Sequence, residues 1–176
     1  MDVVSGGEVL EETIVKACWD TDNLYLRYEC IDSYMVSPYT QHDDPLFEHD
    51  VVEAFIAEAE DAMQYAEIVV SPNNIVFDAW IDHDDPANPL AFRVHTDWDA
   101  EGLVTNVEAE NERRICTLTI PFLNFNAAPL PGAEWRINFF RIDEESSGQR
   151  HYQAWNPTGL INYHVPDKFG RIVFEA

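Results

Sequence analysis

Short runs of β-branched and aromatic residues, each ended by Pro, Gly, Asn or Asp, follow one another along most of the chain. No segment keeps a 3.6-residue apolar period, and only Pro121–Asn124 resembles a helical turn. Closely spaced short strands are typical of antiparallel sandwiches. The pattern predicts an all-β fold, a single antiparallel β-sandwich of about ten strands, at 13–19, 24–31, 51–57, 65–70, 75–81, 91–96, 104–109, 115–120, 135–142 and 170–174.

The first two runs flank an Asp/Asn-rich turn at 20–23 and predict a hairpin. Its register places Cys18 opposite residue 25 and Cys30 opposite residue 13, so these two thiols cannot form a disulfide with each other. With Cys116 the chain has three cysteines, an odd count without metal-type spacing. Buried free thiols are therefore expected.

No shift in composition divides the 176 residues, 46% of which are hydrophobic, so one domain over 1–176 is expected. Trp19 and Trp135 lie inside predicted strands and are assigned to the core. The connections at 32–50 and 143–168 are long for a compact β domain. Long ordered loops of this kind often carry function.

The charge balance excludes several classes of partner. Asp and Glu number 33 against 10 Lys and Arg, for a net charge of −23. Nucleic acids and anionic membrane surfaces need a basic patch that this chain lacks. No apolar run approaches the ~20 residues of a membrane span, and the chain does not begin with a signal peptide. Acid-rich, lysine-poor composition is also typical of proteins from salt-loving organisms.

Catalytic motifs are absent, including the nucleophile elbow, the zinc-protease pair and the phosphate loop, so the chain is not expected to be an enzyme. Asp43, Asp44 and Asp50 lie close together in one acidic loop and are candidate calcium ligands. Solvated acidic turns are the alternative, because the spacing does not match an EF-hand. No cofactor beyond a structural calcium is expected.

Two loop aromatics are candidate ligand platforms. Phe47 lies in the acidic loop and Trp155 in the later long loop, each between polar residues. The C–H-rich face of a sugar ring packs on an aromatic face, while its hydroxyls need polar partners. The alternative is that each ring plugs an end of the sandwich.

Several segments in a fixed order extend this interpretation to a family. They are Trp19-Asp20 with Leu24-Tyr25-Leu26, the stretch Asp43–Ile56, Tyr65–Ile68 with Pro72-Asn73 and Phe77-Asp78, Ile120-Pro121-Phe122, Trp135–Phe139, and Trp155-Asn156-Pro157 with His164, Pro166 and Phe169-Gly170. Over about 13–175 the chain resembles carbohydrate-binding module family 9-like domains of the DOMON-like β-sandwich superfamily. Their usual first strand is missing or altered in 1–12.

The resemblance implies a non-catalytic module that clamps one sugar ring between two aromatic side chains. Phe47 matches a tryptophan of characterised members and is a smaller platform, and Trp155 matches the second aromatic. Glu53 matches an acid that accepts hydrogen bonds from sugar hydroxyls. Asn156 is a candidate amide partner beside Trp155.

Trp80 and Arg93 complete the candidate carbohydrate-binding residues. The implied ligand is a mono- or oligosaccharide, and the implied place is secreted, periplasmic or at the cell surface. There the module would position a glycan-processing system in carbohydrate catabolism. Such modules accompany glycoside hydrolases, but no hydrolysis is expected of this chain.

Two alternatives to sugar binding remain open. Related sandwich domains bind b-type haem between methionine and histidine or lysine, and Met35 or Met63 with His164 would be the axial pair. The other alternative is an interaction domain that has lost its sugar. Arg141, on a central predicted strand, is interpreted as a structural partner of a buried acid.

Overall fold

The computed structural model describes residues 1–85, 88 and 90–176. Within these residues the chain forms eleven β-strands and three short 3₁₀ turns, which confirms the all-β prediction. The strands are β1 (Thr13–Trp19), β2 (Asn23–Ile31), β3 (Val51–Ala57), β4 (Gln64–Val70), β5 (Val76–His83), β6 (Phe92–His95), β7 (Val104–Glu110), β8 (Arg113–Pro121), β9 (Glu134–Glu144), β10 (Arg150–Ala154) and β11 (Gly170–Val173).

The strands form two antiparallel sheets, as predicted for a sandwich. The small sheet has the order β1-β2-β8-β7, and the large sheet has the order β10-β9-β3-β4-β5-β6. Strand β11 pairs with the first part of β9 (134–137), and β10 pairs with the last part of β9 (140–144). In the described part of the chain, no helix is both long and apolar enough to cross a membrane.

The large sheet is apolar on both faces. In β3, Val52, Ala54 and Ile56 belong to the core between the sheets, whereas Val51 and Phe55 belong to a second cluster on the opposite face. We call that opposite face the outer face. Because it is covered by loop residues including Leu46, Tyr163 and Phe169, every residue of β3 is buried. This double burial explains why β3 is apolar at every position except Glu53.

The predicted hairpin has the expected register, with Thr13 opposite Cys30 and Cys18 opposite Tyr25. All three cysteines are free. Cys30 and Cys116 are buried as expected, but Cys18 is exposed, which corrects the prediction for that thiol. Its strand lies at the edge of the small sheet, where one face of β1 is open to solvent.

Most predicted strands differ from the observed ones by one or two residues at an end, and the turn at Phe122–Asn124 is confirmed. Strand β10, however, lies in a segment that the sequence indicates as loop. The segment 1–12 contributes an isolated bridge between Asp2 and Gln153 instead of a regular strand.

The two tryptophans assigned to the core differ in burial. Trp135 is buried between the sheets. Trp19 is half-buried and packs edge-on against Phe174, with 5.2 Å between ring centroids. Its indole N–H donates to the carbonyl of Glu175 at 2.9 Å. The Trp19 ring therefore covers the edge of the core beside Phe174 and Glu175.

A buried ion cluster joins the two sheets around Arg141, which is 0% exposed. Its guanidinium lies 2.6 Å from Asp143, 3.3 Å from Asp32 and 3.6 Å from Glu11. It also donates to the carbonyl of Ile31, at the end of β2, at 2.7 Å. The interpretation of Arg141 as the structural partner of a buried acid is therefore confirmed.

The net charge of −23 leads to a prediction about salt. Mutual repulsion of carboxylates is screened as ionic strength rises. We expect the melting temperature to increase by about 4–8 °C from low salt to molar NaCl, equivalent to about 2 kcal/mol for a chain of this size. Calorimetry measures it, and molar KCl, which screens charge equally, should give the same increase. An unchanged melting temperature in NaCl would contradict adaptation to salt.

Candidate functional site

A cleft of about 460 Å³ opens on the outer face of the large sheet. Alternate residues of β3, β4 and β5 form its floor, and the segment 161–164 forms one wall. This size is within the usual range of small-molecule sites. We call it the outer-face cleft, and its lining residues include Phe47, Glu53, Phe55, Glu67, Phe77, Phe92, Asn162 and His164.

Two acids lie at the bottom of the cleft. Glu53 on β3 and Glu67 on β4 are diagonal neighbours, because Glu53 pairs with Val69 and Glu67 with Phe55. Burial raises the pKa of Glu67 to about 8. Burial and the nearby Glu67 charge raise the pKa of Glu53 well above its usual range. At neutral pH Glu67 therefore retains its proton, and a protonated carboxyl both donates and accepts hydrogen bonds.

Three aromatic side chains next to this floor are connected by hydrogen bonds. The Tyr65 hydroxyl lies 2.8 Å from Nδ1 of His164 and 3.1 Å from Nε2 of His83. Burial, together with the neighbouring His83, lowers the pKa of His164 to about 4, and burial also lowers the pKa of His83. Both imidazoles are thus neutral at pH 7 and leave the two acids without a counter-charge from this side.

Phe47 forms part of the rim of the cleft. It lies in the 3₁₀ turn Leu46–Glu48, immediately before β3, and its ring is 43% exposed. The ring stands nearly perpendicular to that of Phe77, with 5.7 Å between centroids. The buried Leu46 anchors the turn, so Phe47 is held over the same cleft as Glu53.

Free polar atoms face the same space. Among the residues that the structure describes, Oε1 of Glu53 and Nδ2 of Asn162 are buried without a hydrogen-bond partner. The Asn162 carboxamide oxygen already accepts the backbone N–H of His164 at 3.0 Å, which orients its N–H₂ group. Burying such groups unpaired is costly, so the cleft offers an acceptor and a donor to a ligand.

Trp155 lies elsewhere. It lines a second cavity, of about 360 Å³, with Phe139 and Ile172, and its ring packs on Phe139 at 5.5 Å between centroids. Phe139 belongs to the core between the sheets, whereas Phe47 contacts the outer face. The two predicted platforms therefore line different cavities, and no clamp forms between them.

The backbone of Asn156, next to Trp155, is held by two hydrogen bonds to the side chain of Asn138. Its N–H donates to the Asn138 side chain at 3.0 Å, and its carbonyl accepts from the same carboxamide at 2.9 Å. A Cβ at Gly170 would collide with both side chains, so this glycine lets them lie against the backbone of β11. Both residues thus cover the edge where the two sheets meet.

Trp80 and Arg93 lie outside the outer-face cleft as well. On β5, Phe77 faces the cleft. Successive side chains of a strand alternate between its two faces, so Trp80 lies on the opposite face, where it packs on Trp98 with 5.6 Å between ring centroids. Arg93 on β6 forms exposed salt bridges with Asp82 at 2.6 Å and Asp84 at 2.5 Å.

The three candidate calcium ligands do not converge. Both oxygens of buried Asp50 accept backbone N–H groups, from Val36 and Glu144, each at 2.6 Å. Asp44 accepts from the backbone of Thr40 and Gln41. These bonds give Asp44 and Asp50 structural roles in the loop, and calcium remains an untested prediction.

The haem alternative gains no geometric support. His164 stacks on Phe92 with 4.3 Å between ring centroids, and Tyr65 occupies its Nδ1. Neither Met35 nor Met63 lines the cleft that His164 lines, within the described ranges. An axial pair is therefore not assembled here.

Sequence reasoning missed two functional candidates. Glu67 is the single acid in the run 64–70, and its period-two spacing from Tyr65 and Val69 is the signal that could have placed it on the face of Glu53. Asn162 lies in a long connection that was expected to carry function. Nothing in the local sequence distinguishes it from the other polar residues there.

Comparisons with known proteins agree with this fold. Residues 11–176 match the family described as carbohydrate family 9 binding domain-like. An "Extracellular protein" of Arthroderma benhamiae is 27% identical over 93% of this chain and 78% of its own length. Two structures of a family 9 carbohydrate-binding module from Caldicellulosiruptor kristjanssonii, in complex with glucose and with cellotriose, are each 18% identical and superpose with TM-scores of 0.72 and 0.73. They cover 96% and 97% of this chain, and 78% of that module in both cases. The chain belongs to the carbohydrate family 9 binding domain-like family.

Proposed function

We propose that this chain binds a mono- or oligosaccharide in the outer-face cleft and performs no catalysis. Its family consists of non-catalytic sugar-binding modules, which agrees with the expectation from sequence. The observation that carries the proposal is the pairing of an exposed aromatic rim with unpaired buried polar atoms in one cleft.

The chemistry of the cleft is complementary to a sugar ring. The Phe47 ring and the apolar wall from Phe77 and Phe92 present surface to the C–H face of a pyranose. At the floor, Oε1 of Glu53 accepts a hydrogen bond from a sugar hydroxyl, and Nδ2 of Asn162 donates one to a hydroxyl oxygen. Because both atoms are buried and unpaired among the described residues, a ligand that satisfies them recovers their desolvation cost.

Binding of glucose and cellotriose, as members of a wider panel of mono- and oligosaccharides, tests the proposal by calorimetry. Phe47→Ala should lower the affinity for the best sugar about tenfold or more, since losing an aromatic platform costs ~1–3 kcal/mol and 1.4 kcal/mol is tenfold. Trp155→Ala is the matched control. It removes an aromatic ring of similar exposure (40% against 43%) from the other cavity, and affinity should stay within about threefold.

A second variant tests the polar floor. Glu53→Met keeps the length of the side chain but removes its hydrogen-bonding groups, so affinity should fall about tenfold. Folding stability should not fall, because a carboxyl only 2% exposed is replaced by an apolar group. If Trp155→Ala abolished binding while Phe47→Ala left it intact, the site would be the second cavity. If the folded protein bound no sugar in the panel, the proposal would be wrong, and the chain would be an interaction domain without a sugar ligand.

An extracellular location fits the same proposal. The relative from Arthroderma benhamiae carries the name "Extracellular protein", which supports this location. There the module would hold a glycan-processing partner on its substrate. Fractionation of the native host, with detection of the chain in the medium or on the cell surface, tests the location.

A further inference from the structure

One cluster of metal-ligating side chains lies away from the outer-face cleft. His42, in the loop before β3, lies against Asp78 on β5 and Asp99 in the connection from β6 to β7. Its Nε2 is 2.9 Å from Oδ1 of Asp99, 3.4 Å from Oδ1 of Asp78 and 3.7 Å from Oδ1 of Asp43. Three separate segments thus bring three carboxylates to one imidazole nitrogen.

The imidazole is oriented by its other nitrogen. Nδ1 of His42 lies 2.9 Å from the carbonyl oxygen of Val76. A carbonyl only accepts, so Nδ1 carries a proton and donates it, which turns Nε2 toward the carboxylates. Metal-binding histidines are usually held in this way, by a backbone carbonyl on the non-ligating nitrogen.

Asp78 supplies independent evidence of a ligand. The residue is 2% exposed, and its Oδ2 accepts the backbone N–H of Ala100 at 2.6 Å. Its Oδ1 has no hydrogen-bond partner within the described part of the chain, although it points at Nε2 of His42. A buried carboxylate oxygen left unpaired is costly, and a bound cation would remove that cost.

No basic side chain neutralises the cluster. Within residues 1–85, 88 and 90–176, neither lysine nor arginine forms a salt bridge with Asp43, Asp78 or Asp99. A protonated His42 compensates one charge of the three. The remaining negative charge lies in a chain that is already strongly acidic, which favours a divalent cation at this position.

We propose that His42, Asp43, Asp78 and Asp99 bind one divalent transition-metal ion of the Zn²⁺ or Mn²⁺ type. Bonds of about 2.0–2.2 Å place two ligands of one ion at most about 4.4 Å apart. The ligand atoms of His42, Asp43 and Asp99 lie within 4.8 Å of one another, and Oδ1 of Asp78 lies 3.4 Å from Nε2 of His42, so a small movement of the carboxylates brings all four ligands to one ion. Imidazole is a ligand for transition metals, whereas Ca²⁺ and Mg²⁺ prefer all-oxygen sites. The ion takes the place of the Nε2 proton and draws the three carboxylates together.

This site fixes the loop that leads to Phe47. Asp43 and His42 lie on that loop, and the N–H of Asp43 also donates to the carbonyl of Val76 at 3.1 Å. An ion shared with Asp78 and Asp99 ties the loop to β5 and to the β6–β7 connection. Because the ion binds the folded chain, it should raise the melting temperature with the logarithm of its concentration above the Kd.

Titration of the purified, chelator-treated chain with ZnCl₂ and MnCl₂ tests the site, with CaCl₂ for comparison. Calorimetry should show one saturable site for Zn²⁺ or Mn²⁺ that is tighter than any Ca²⁺ binding. His42→Gln and Asp99→Asn should each weaken it at least tenfold. Both side chains are exposed, so neither substitution should unfold the protein, and melting curves without metal check this.

Asp97→Asn is the matched control, because Asp97 is an exposed acid two residues from Asp99 and outside the cluster. It makes the same charge change and should alter metal affinity less than about threefold. The proposal is overturned if no saturable site is found, if His42→Gln binds as tightly as the wild type, or if Asp97→Asn weakens binding as much as Asp99→Asn. These outcomes are independent of sugar affinity, which is measured with the metal absent and present.

Discussion

Replacing Arg141 by methionine should cost about 3–5 kcal/mol of folding free energy at neutral pH, the usual effect of removing one partner from a buried ion pair. The guanidinium is fully buried between Asp143 and Asp32. Without it, two carboxylates are left in the interior with one fewer cation. The hydrogen bond from β9 to the Ile31 carbonyl at 2.7 Å is lost as well. Urea unfolding at pH 7 measures the change.

Arg171→Met is the matched control for this prediction. Arg171 forms exposed salt bridges with Glu60 at 3.3 Å and Glu134 at 3.0 Å, and such pairs contribute about 0–1 kcal/mol. The deficit of Arg141→Met should also shrink as the pH falls, because burial raises the pKa of Asp32 and of Asp143 and protonated carboxyls need no cation. Equal small losses in both variants would mean that the cluster contributes little.

The β1–β2 hairpin of the small sheet could be predicted largely from local sequence. The turn residues at 20–23 and the alternation on both sides determine the register that pairs Thr13 with Cys30. Strand β10 could not be predicted in this way, because Arg150–Ala154 is polar and lacks clear alternation. It is a strand because its backbone pairs with β9 on one side, a partner distant from any local turn signal.

The same distinction separates the candidate residues. Phe47 and Glu53 meet in one cleft because a 3₁₀ turn leads directly into β3, so their relation is local. Trp155 follows β10, and the face to which its ring turns depends on the pairing of β10 with β9. In sequence, an aromatic residue between polar residues looks the same whichever face of the sheet it occupies. The local sequence therefore could not show that Phe47 and Trp155 lie on different faces.

The four residues of the proposed metal site show a further limit of sequence. His42 and Asp43 are neighbours, but Asp78 and Asp99 reach them only through the folding of β5 and of the connection that follows β6. The short spacing of acids in the loop predicts Asp44 and Asp50 as metal ligands, but their oxygens accept hydrogen bonds from backbone N–H groups. Short spacing of acids in a loop therefore indicates turn-stabilising bonds as readily as a metal.

Raising the pH from about 6.5 to about 9 should lower the folding stability of the wild type by about 2 kcal/mol through Glu67 alone. Burial raises its pKa to about 8 from the ordinary 4.5, so between these values the native state binds more protons than the unfolded state. Stability from this group is complete below pH 4.5 and is lost as the pH rises through 8. His164, with its pKa lowered to about 4, acts in the opposite direction but only below pH 6.5.

Glu67→Gln isolates this effect, because glutamine keeps the shape of the protonated carboxyl and cannot ionise. We expect its stability to match the wild type below about pH 4.5, and its advantage over the wild type to grow by about 2 kcal/mol between pH 6.5 and pH 9. The titratable groups that face Glu67 are Glu53, Tyr65, His83 and His164, and in the described part of the chain no lysine or arginine lines the cleft. Nothing on these elements therefore compensates a charge on Glu67.

Glu110→Gln, at an exposed acid, is the control for the change in net charge. Its stability should follow the wild-type curve at every pH, since removing one of many surface charges has a small effect. Urea unfolding at several pH values gives the three curves. If Glu67→Gln ran parallel to the wild type, the Glu67 carboxyl would already be ionised and solvated in the native state. The cleft floor would then be wet, and the unpaired oxygen of Glu53 could be satisfied by water before any sugar arrived, which would remove the energetic reason for placing the ligand there.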